Sequence, residues 1–134
     1  MNLETFSFDI DGDGIAHAVF DVPGRSMNTL TGKAIADIIA ITNEVATNDK
    51  ITGLVISSGK ASGFCAGADL GEMNESAGGG KPESEMSEAE LKAMQFERGF
   101  SLNKTLRELE TCGKPIAVAL DGLALGGGLS LIHI

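Results

Sequence analysis

Tryptophan and tyrosine are absent from this chain of 134 residues, and six phenylalanines are its only aromatics. Its core must therefore be built mainly from aliphatic side chains and alanine. Basic residues are also scarce: ten Lys and Arg stand against nineteen Asp and Glu, for a formal charge of -9. Nucleic acid and anionic membrane surfaces attract basic patches, so neither is expected as a partner. A small phosphate-bearing molecule is not excluded, because it needs only a local group of donors. The two cysteines, Cys65 and Cys112, are too few for a secreted disulfide scaffold, and two reduced thiols are expected. No His/Cys cluster has metal-ligand spacing, so no metal is expected, and no Ser/His/Asp arrangement is legible. No apolar run approaches membrane-spanning length. Met1 to Phe8 has neither the basic and apolar order of a signal peptide nor the arginines of a transit peptide. One modest domain, cytoplasmic by default, is the expectation.

What is present begins with alternation. Phe6, Phe8 and Ile10 interleave with Thr5, Ser7 and Asp9, which predicts a half-buried strand. Asp11-Gly-Asp-Gly14 is a turn and Ile15 to Val22 a second strand, together a hairpin. Asp9 to Gly14 also matches the start of a calcium loop, but Phe20 stands where the bidentate Glu belongs, so the turn is preferred. From about Thr29 to Asn48, Ile35, Ile38, Ile39, Ile41, Val45 and Ala46 recur mostly on one helical face, with Asn28 or Thr31 as cap. Gly53 to Ser58 is a compact apolar run typical of a central strand.

Next comes Gly59-Lys-Ala-Ser-Gly-Phe-Cys-Ala-Gly-Ala-Asp69, rich in small residues. It is not a phosphate-binding loop, since Gly53 lies one residue too far from Gly59-Lys60 and Ala61 replaces the required Ser or Thr. Asn74 to Ser84 is polar and glycine-rich, as in an exposed loop or lid. Ser87-Glu-Ala-Glu90 reads as a capping box opening a helix through Leu91, Met94, Leu102, Leu106 and Leu109, with a break near Gly99. Ile116 to Leu120 reads as a short buried strand, turning at Asp121-Gly122 toward Gly126-Gly127-Gly128 at a helix start. Three glycines there cost helix stability, so they need another reason. Either a ligand approaches the backbone or the loop packs tightly, and this stretch alone leaves both open.

Two strands thus run into two small-residue loops. If the strands are neighbours, both loops emerge at one edge, and one N–H from each can face a common oxygen. Two such donors suit a thioester carbonyl that becomes an enolate.

Phe64-Cys-Ala-Gly-Ala-Asp-Leu-Gly-Glu-Met73, together with Lys114-Pro-Ile-Ala-Val-Ala-Leu-Asp-Gly-Leu-Ala-Leu-Gly-Gly-Gly128, resembles the crotonase (enoyl-CoA hydratase/isomerase) superfamily. Gly24-Arg-Ser-Met-Asn-Thr-Leu30 is similar to that family's loop ahead of its first helix. The resemblance covers residues 3 to 128 and implies an α/β fold, a spiral of strand–strand–helix units, here only its N-terminal part. It implies an acyl-CoA thioester substrate and hydration of 2-enoyl-CoA, with double-bond isomerisation or non-catalytic acyl-CoA binding as alternatives. The implied oxyanion donors are the backbone amides of Ala68 and Gly127, flanked by Asp69 and Gly126. Coenzyme A's adenine would lie on the backbone of Ala66, Ala68 and Leu70, and its pantetheine near Arg25, Met27 and Asn28. Pro23-Gly-Arg-Ser-Met-Asn28 and the long acidic insert ahead of the strand at Ile116 further resemble the branch found in bacterial fatty-acid oxidation complexes. That branch implies NAD only where a dehydrogenase domain follows in the parent, and either a homo-oligomer or a β-oxidation complex with a thiolase.

One departure stands out. The family's hydratases carry a glutamate at the position of Ser130 and a second roughly twenty residues beyond, and a serine hydroxyl cannot replace a carboxylate of tuned pKa. Leu129-Ser-Leu-Ile-His-Ile134 is one translation of CTGTCTCTTATACACATC, a transposase end sequence used in shotgun library preparation. Residues 1–128 are therefore expected to be a partial hydratase/isomerase domain, and 129–134 a non-native, adapter-derived tail without function. The chain itself is expected to be inactive.

Overall fold

The computed structural model describes residues 1–69, 71–72 and 86–133. Phe6–Ile10 (β1) and Ile15–Phe20 (β2) form the expected antiparallel hairpin, Phe6 opposite Phe20 and Ile10 opposite Ala16. The carboxylate of Asp11 accepts the amides of Asp13 and Ile15 at 3.0 and 2.9 Å and lies 3.0 Å from His17 Nε2. Its oxygens are spent on the turn and on His17 of β2.

Gly32–Thr47 forms helix α1. Of the two candidate caps Thr31 takes the role, its hydroxyl accepting the Ala34 amide at 3.1 Å. Ala34, Ile38, Ile41 and Val45 are buried along one face, whereas Ile39 falls off that face and is largely exposed. The buried carboxylate of Asp37 accepts the amides of Glu4 and Thr5 and the Thr5 hydroxyl, pinning the start of the chain to α1. At the other end Lys114 Nζ donates to the carbonyl of Asn48 at 2.6 Å, satisfying one of the helix's last acceptors.

Further elements among the described residues are Gly53–Ser58 (β3), Gly63–Cys65 (β4), Glu88–Glu110 (α2), Ile116–Val118 (β5), Leu123–Ala124 (β6) and Gly127–Ile132 (α3). β3 runs parallel to β2, with Leu54 beside Ala16, and parallel to β5, with Ile56 beside Val118. The main sheet has the order β1-β2-β3-β5, and β4 pairs with β6 in a second, parallel sheet. Among the described residues these elements follow one another as β1-β2-α1, β3-β4-α2 and β5-β6-α3, with residues 71–72 also helical between β4 and α2. One hydrophobic cluster joins Ala16, Phe20, Leu54 and Ile56 to α1 and to Leu106 and Leu109 near the end of α2. The Phe6 and Phe20 rings stack within it, centroids 4.4 Å apart.

Three expectations need correction. The helix after the capping box does not break, because α2 runs through Gly99; its cap has the expected form, Ser87 Oγ accepting the Glu90 amide and Glu90 accepting that of Ser87. The run from Ile116 to Leu120 is not a buried strand. It pairs only as far as Val118, on one side, with Ala117 exposed and Leu120 half in solvent. Strands β4 and β6 were not expected at all. The Asn74 to Ser84 loop, Leu70 and Met73 lie outside the described residues. No helix among the described residues is long and apolar enough to cross a membrane.

Candidate active site

Parallel pairing of β4 and β6, continued by the Leu125 amide donating to the Cys65 carbonyl at 2.9 Å, sends both small-residue loops out of one sheet edge. They touch through glycine. A Cβ on Gly67 (φ +94°) would lie 3.0 Å from the Leu125 carbonyl oxygen, and one on Gly126 (φ +51°) 3.7 Å from Gly67 Cα. The glycines at 126, 127 and 128 have separate reasons. Gly126 takes a left-handed conformation that side chains disfavour. A Cβ on Gly127 would sit 2.4 Å from Leu30 Cδ1, and one on Gly128 2.6 Å from Cys65 Cβ and 2.8 Å from its carbonyl oxygen. Packing between protein groups therefore accounts for Gly128, which meets backbone and a Cβ, whereas Gly127 meets the end of the Leu30 side chain.

Most amides of the two loops are spent. That of Ala66 donates to the Asn28 carbonyl at 2.9 Å, that of Gly67 lies 3.4 Å from Cys65 Sγ, and that of Asp69 donates to the Leu30 carbonyl at 3.3 Å. The Gly128 amide donates to Leu125 at 2.9 Å. The amides of Ala68 and Gly127, and that of Gly126 between the loops, donate to no acceptor among the described residues. Ala68 is exposed and Gly127 half-buried. The arrangement leaves backbone donors without an acceptor among the described residues on two adjoining loops.

The side chains around them mostly hold the loops in place. Asn28 is buried: its Oδ1 accepts the Val22 amide at 2.9 Å, and its Nδ2 faces the Phe20 carbonyl at 2.7 Å, Ser58 Oγ at 3.0 Å and the Phe64 carbonyl at 3.2 Å. It ties the ends of β2, β3 and β4 together. Met27 is half-buried and Arg25 exposed, the latter donating to the carboxylate of Asp69. Asp69, 5% exposed, also accepts the Thr29 hydroxyl at 3.0 Å and the Glu72 amide at 2.9 Å. The Glu72 amide bond, with help from Thr29 and Arg25, holds its carboxyl below the usual carboxylate range. Glu72 in turn accepts the Gly32 amide at 2.7 Å.

Thr29, Leu30 and Glu72 were not foreseen as site residues, although Asp69-Leu-Gly-Glu72 has the spacing of a helix-capping box and was the available signal. Leu70 lies outside the described residues. Ser130 is exposed, its hydroxyl 3.4 Å from the Gly126 carbonyl, and no Asp or Glu follows Gly128. Cys65 and Cys112 are unpaired, and burial pushes the Cys65 thiol up, away from the reactive thiolate.

A family profile described as enoyl-CoA hydratase/isomerase matches residues 16–133. The fatty acid oxidation complex subunit alpha of Shewanella amazonensis is 38% identical over 128 residues, a match covering 96% of this chain and 16% of that one. An enoyl-CoA hydratase from Shewanella pealeana shares the fold with a TM-score of 0.77 at 24% identity, over 96% of this chain and 43% of its own. A protein of Hyphomonas neptunium described under the enoyl-CoA hydratase/isomerase family superposes with a TM-score of 0.71 at 29% identity, over 95% and 43%. The chain thus spans about a sixth of the curated relatives and less than half of the solved ones.

Proposed function

Because the chain belongs to the enoyl-CoA hydratase/isomerase family, we propose that it is the N-terminal part of a crotonase-fold domain whose full-length parent hydrates 2-enoyl-CoA to 3-hydroxyacyl-CoA in fatty-acid oxidation. The observation that carries this reading is the pair of unspent amides, Ala68 and Gly127, on loops in contact through Gly67 and Gly126. When water adds at the β-carbon, negative charge collects on the thioester oxygen. Two amides fixed beforehand stabilise that charge without reorganising, and losing one such donor costs about 2.7–4 kcal/mol.

Substrate recognition follows the same loops. The backbone of Ala66, Ala68 and Leu70 takes the adenine of coenzyme A, and the segment from Arg25 through Met27 to Asn28 borders the pantetheine. The interior bonds of Asn28 assign it to shaping that border, with Arg25 the one exposed cation on it. No cofactor serves this domain, coenzyme A being part of the substrate; NAD belongs to a dehydrogenase domain of the parent. A cytoplasmic parent that is either a homo-oligomer or part of a β-oxidation complex with a thiolase completes the proposal.

The chain as it stands lacks the acid and base. Ser130 leans on its own helix and has no carboxylate beside it in sequence. This favours a second reading for the isolated chain, non-catalytic acyl-CoA binding. It also fits residues 129–134 being adapter-derived; a read of the genomic locus that retains Ser-Leu-Ile-His-Ile overturns that assignment.

The function is tested by crotonyl-CoA hydration. The 134-residue chain is expected to show no turnover, and the full-length protein to turn over. In the full-length protein Ala68→Pro removes one donor. The bridge between Leu30 and Ala68 uses the Leu30 amide and carbonyl with Gly67 and Asp69, so proline at 68 spares it. A fall in kcat of about 10²–10³ with the fold intact is expected; an unchanged kcat rejects the oxyanion assignment.

A further inference from the structure

Leu30 is the residue that touches both loops. Its amide donates to the Gly67 carbonyl at 2.8 Å and its carbonyl accepts the Asp69 amide at 3.3 Å, so its backbone brackets the Ala68 peptide on both sides. The pairing is a single parallel bridge outside either sheet. Its side chain reaches the other loop, placing Cδ1 2.4 Å from where a Cβ on Gly127 would lie. Leu30 is 5% exposed, and its neighbours fix it further: Thr31 caps α1, and Thr29 donates to Asp69. A rigid helix start thus grips one unspent amide by the backbone and supports the other through an isobutyl group.

We propose that Leu30 is a positioning residue that sets the spacing between the Ala68 and Gly127 amides. The inference rests on the oxyanion reading above and adds to it the element that gauges the two donors. The bulk of the residue at 30 and the absence of a side chain at 127 form one complementary pair. Trimming Leu30 leaves space into which the Gly127 turn relaxes, and a methyl at 127 meets Leu30 Cδ1, so that the buried Leu30 side chain or the turn must shift. Either change moves one donor relative to the other, and misplacement on the order of 1 Å costs about a hundredfold in rate.

The test is a double-mutant cycle in the full-length protein, with kcat and KM for crotonyl-CoA and thermal midpoints measured for Leu30→Ala, Leu30→Met, Gly127→Ala and the Leu30→Ala/Gly127→Ala pair. Each of the two alanine variants is expected to lower kcat about tenfold to a hundredfold, with KM changed less than threefold. Leu30→Met, which keeps the volume, retains kcat within about threefold. The pair is expected to regain at least tenfold in kcat over Gly127→Ala, because the new methyl occupies the space that Leu30 vacates. Loss of thermal stability with kcat unchanged makes Leu30 an ordinary core residue and overturns the proposal. So does additive loss in the double variant. If Ala68→Pro is also without effect on kcat, the oxyanion reading itself has failed; if Ala68→Pro cripples kcat while the Leu30 cycle is flat, only the spacing role is lost.

Discussion

Asp69 gathers three donors of the site onto one buried carboxylate. Its Oδ2 accepts from Arg25 and Thr29 while its Oδ1 accepts the Glu72 amide, so one carboxylate joins the loop ahead of α1 to the loop after β4. These donors favour the ionised form and depress its pKa in the folded chain. A carboxylate with a depressed folded pKa contributes stability that is complete above its unfolded value and is lost as pH falls through the folded one. The clamp is therefore intact above the usual carboxylate range and released only in more acidic solution. Urea titrations at a series of pH values are expected to show Asp69→Asn less stable than the parent sequence at pH 7, with the gap closing as pH falls below the usual carboxylate range. A gap that stays constant with pH removes Asp69 from this role.

The elements divide by how far their causes reach along the chain. β1, β2, α1 and β3 were legible because alternation or helical periodicity is a local signal, and the Ser87 cap was legible from four residues. β4 and β6 were not: one has three residues and the other two, and neither exists without its partner some sixty positions away. Burial of β5 was misread for the same reason, since the sheet order that leaves it with a partner on one side only is a property of the assembled strands. The glycines of the site were visible, but not which neighbour each one admits. Gly128 shows the difference. A methyl there meets Cys65 Cβ and carbonyl oxygen, atoms that no rotamer change can move. Gly128→Ala is expected to cost about 1–3 kcal/mol in urea unfolding by prying α3 from β4. Adding Cys65→Ala is not expected to restore it, because the obstructing Cβ and oxygen remain; full recovery places the clash elsewhere.

For the whole molecule the telling feature is where apolar surface remains. Phe96 and Phe100 on α2 are 67% and 55% exposed, and Leu120, Leu123, Leu125 and Leu129, 41–51% exposed, all belong to the third strand–strand–helix unit or the turns within it. The first unit shows no such row, because α1 is covered by α2 and by the sheet. In a spiral each unit is covered by the next, so the last one described keeps its outer side bare. The solved relatives, of which this chain spans less than half, carry more chain with which to cover it. Contiguous apolar surface of this kind drives association, and the charge of -9 opposes it only weakly at physiological ionic strength. The 134-residue chain is expected to self-associate at micromolar concentration in light scattering, increasingly so as salt is raised. Leu123→Ser with Leu129→Ser, both at partly solvated positions, should shift it toward monomer, with the unfolding midpoint little changed. A chain that stays monomeric at high salt before any substitution shows that the third unit covers its own leucines, and the reading of an open spiral fails with it.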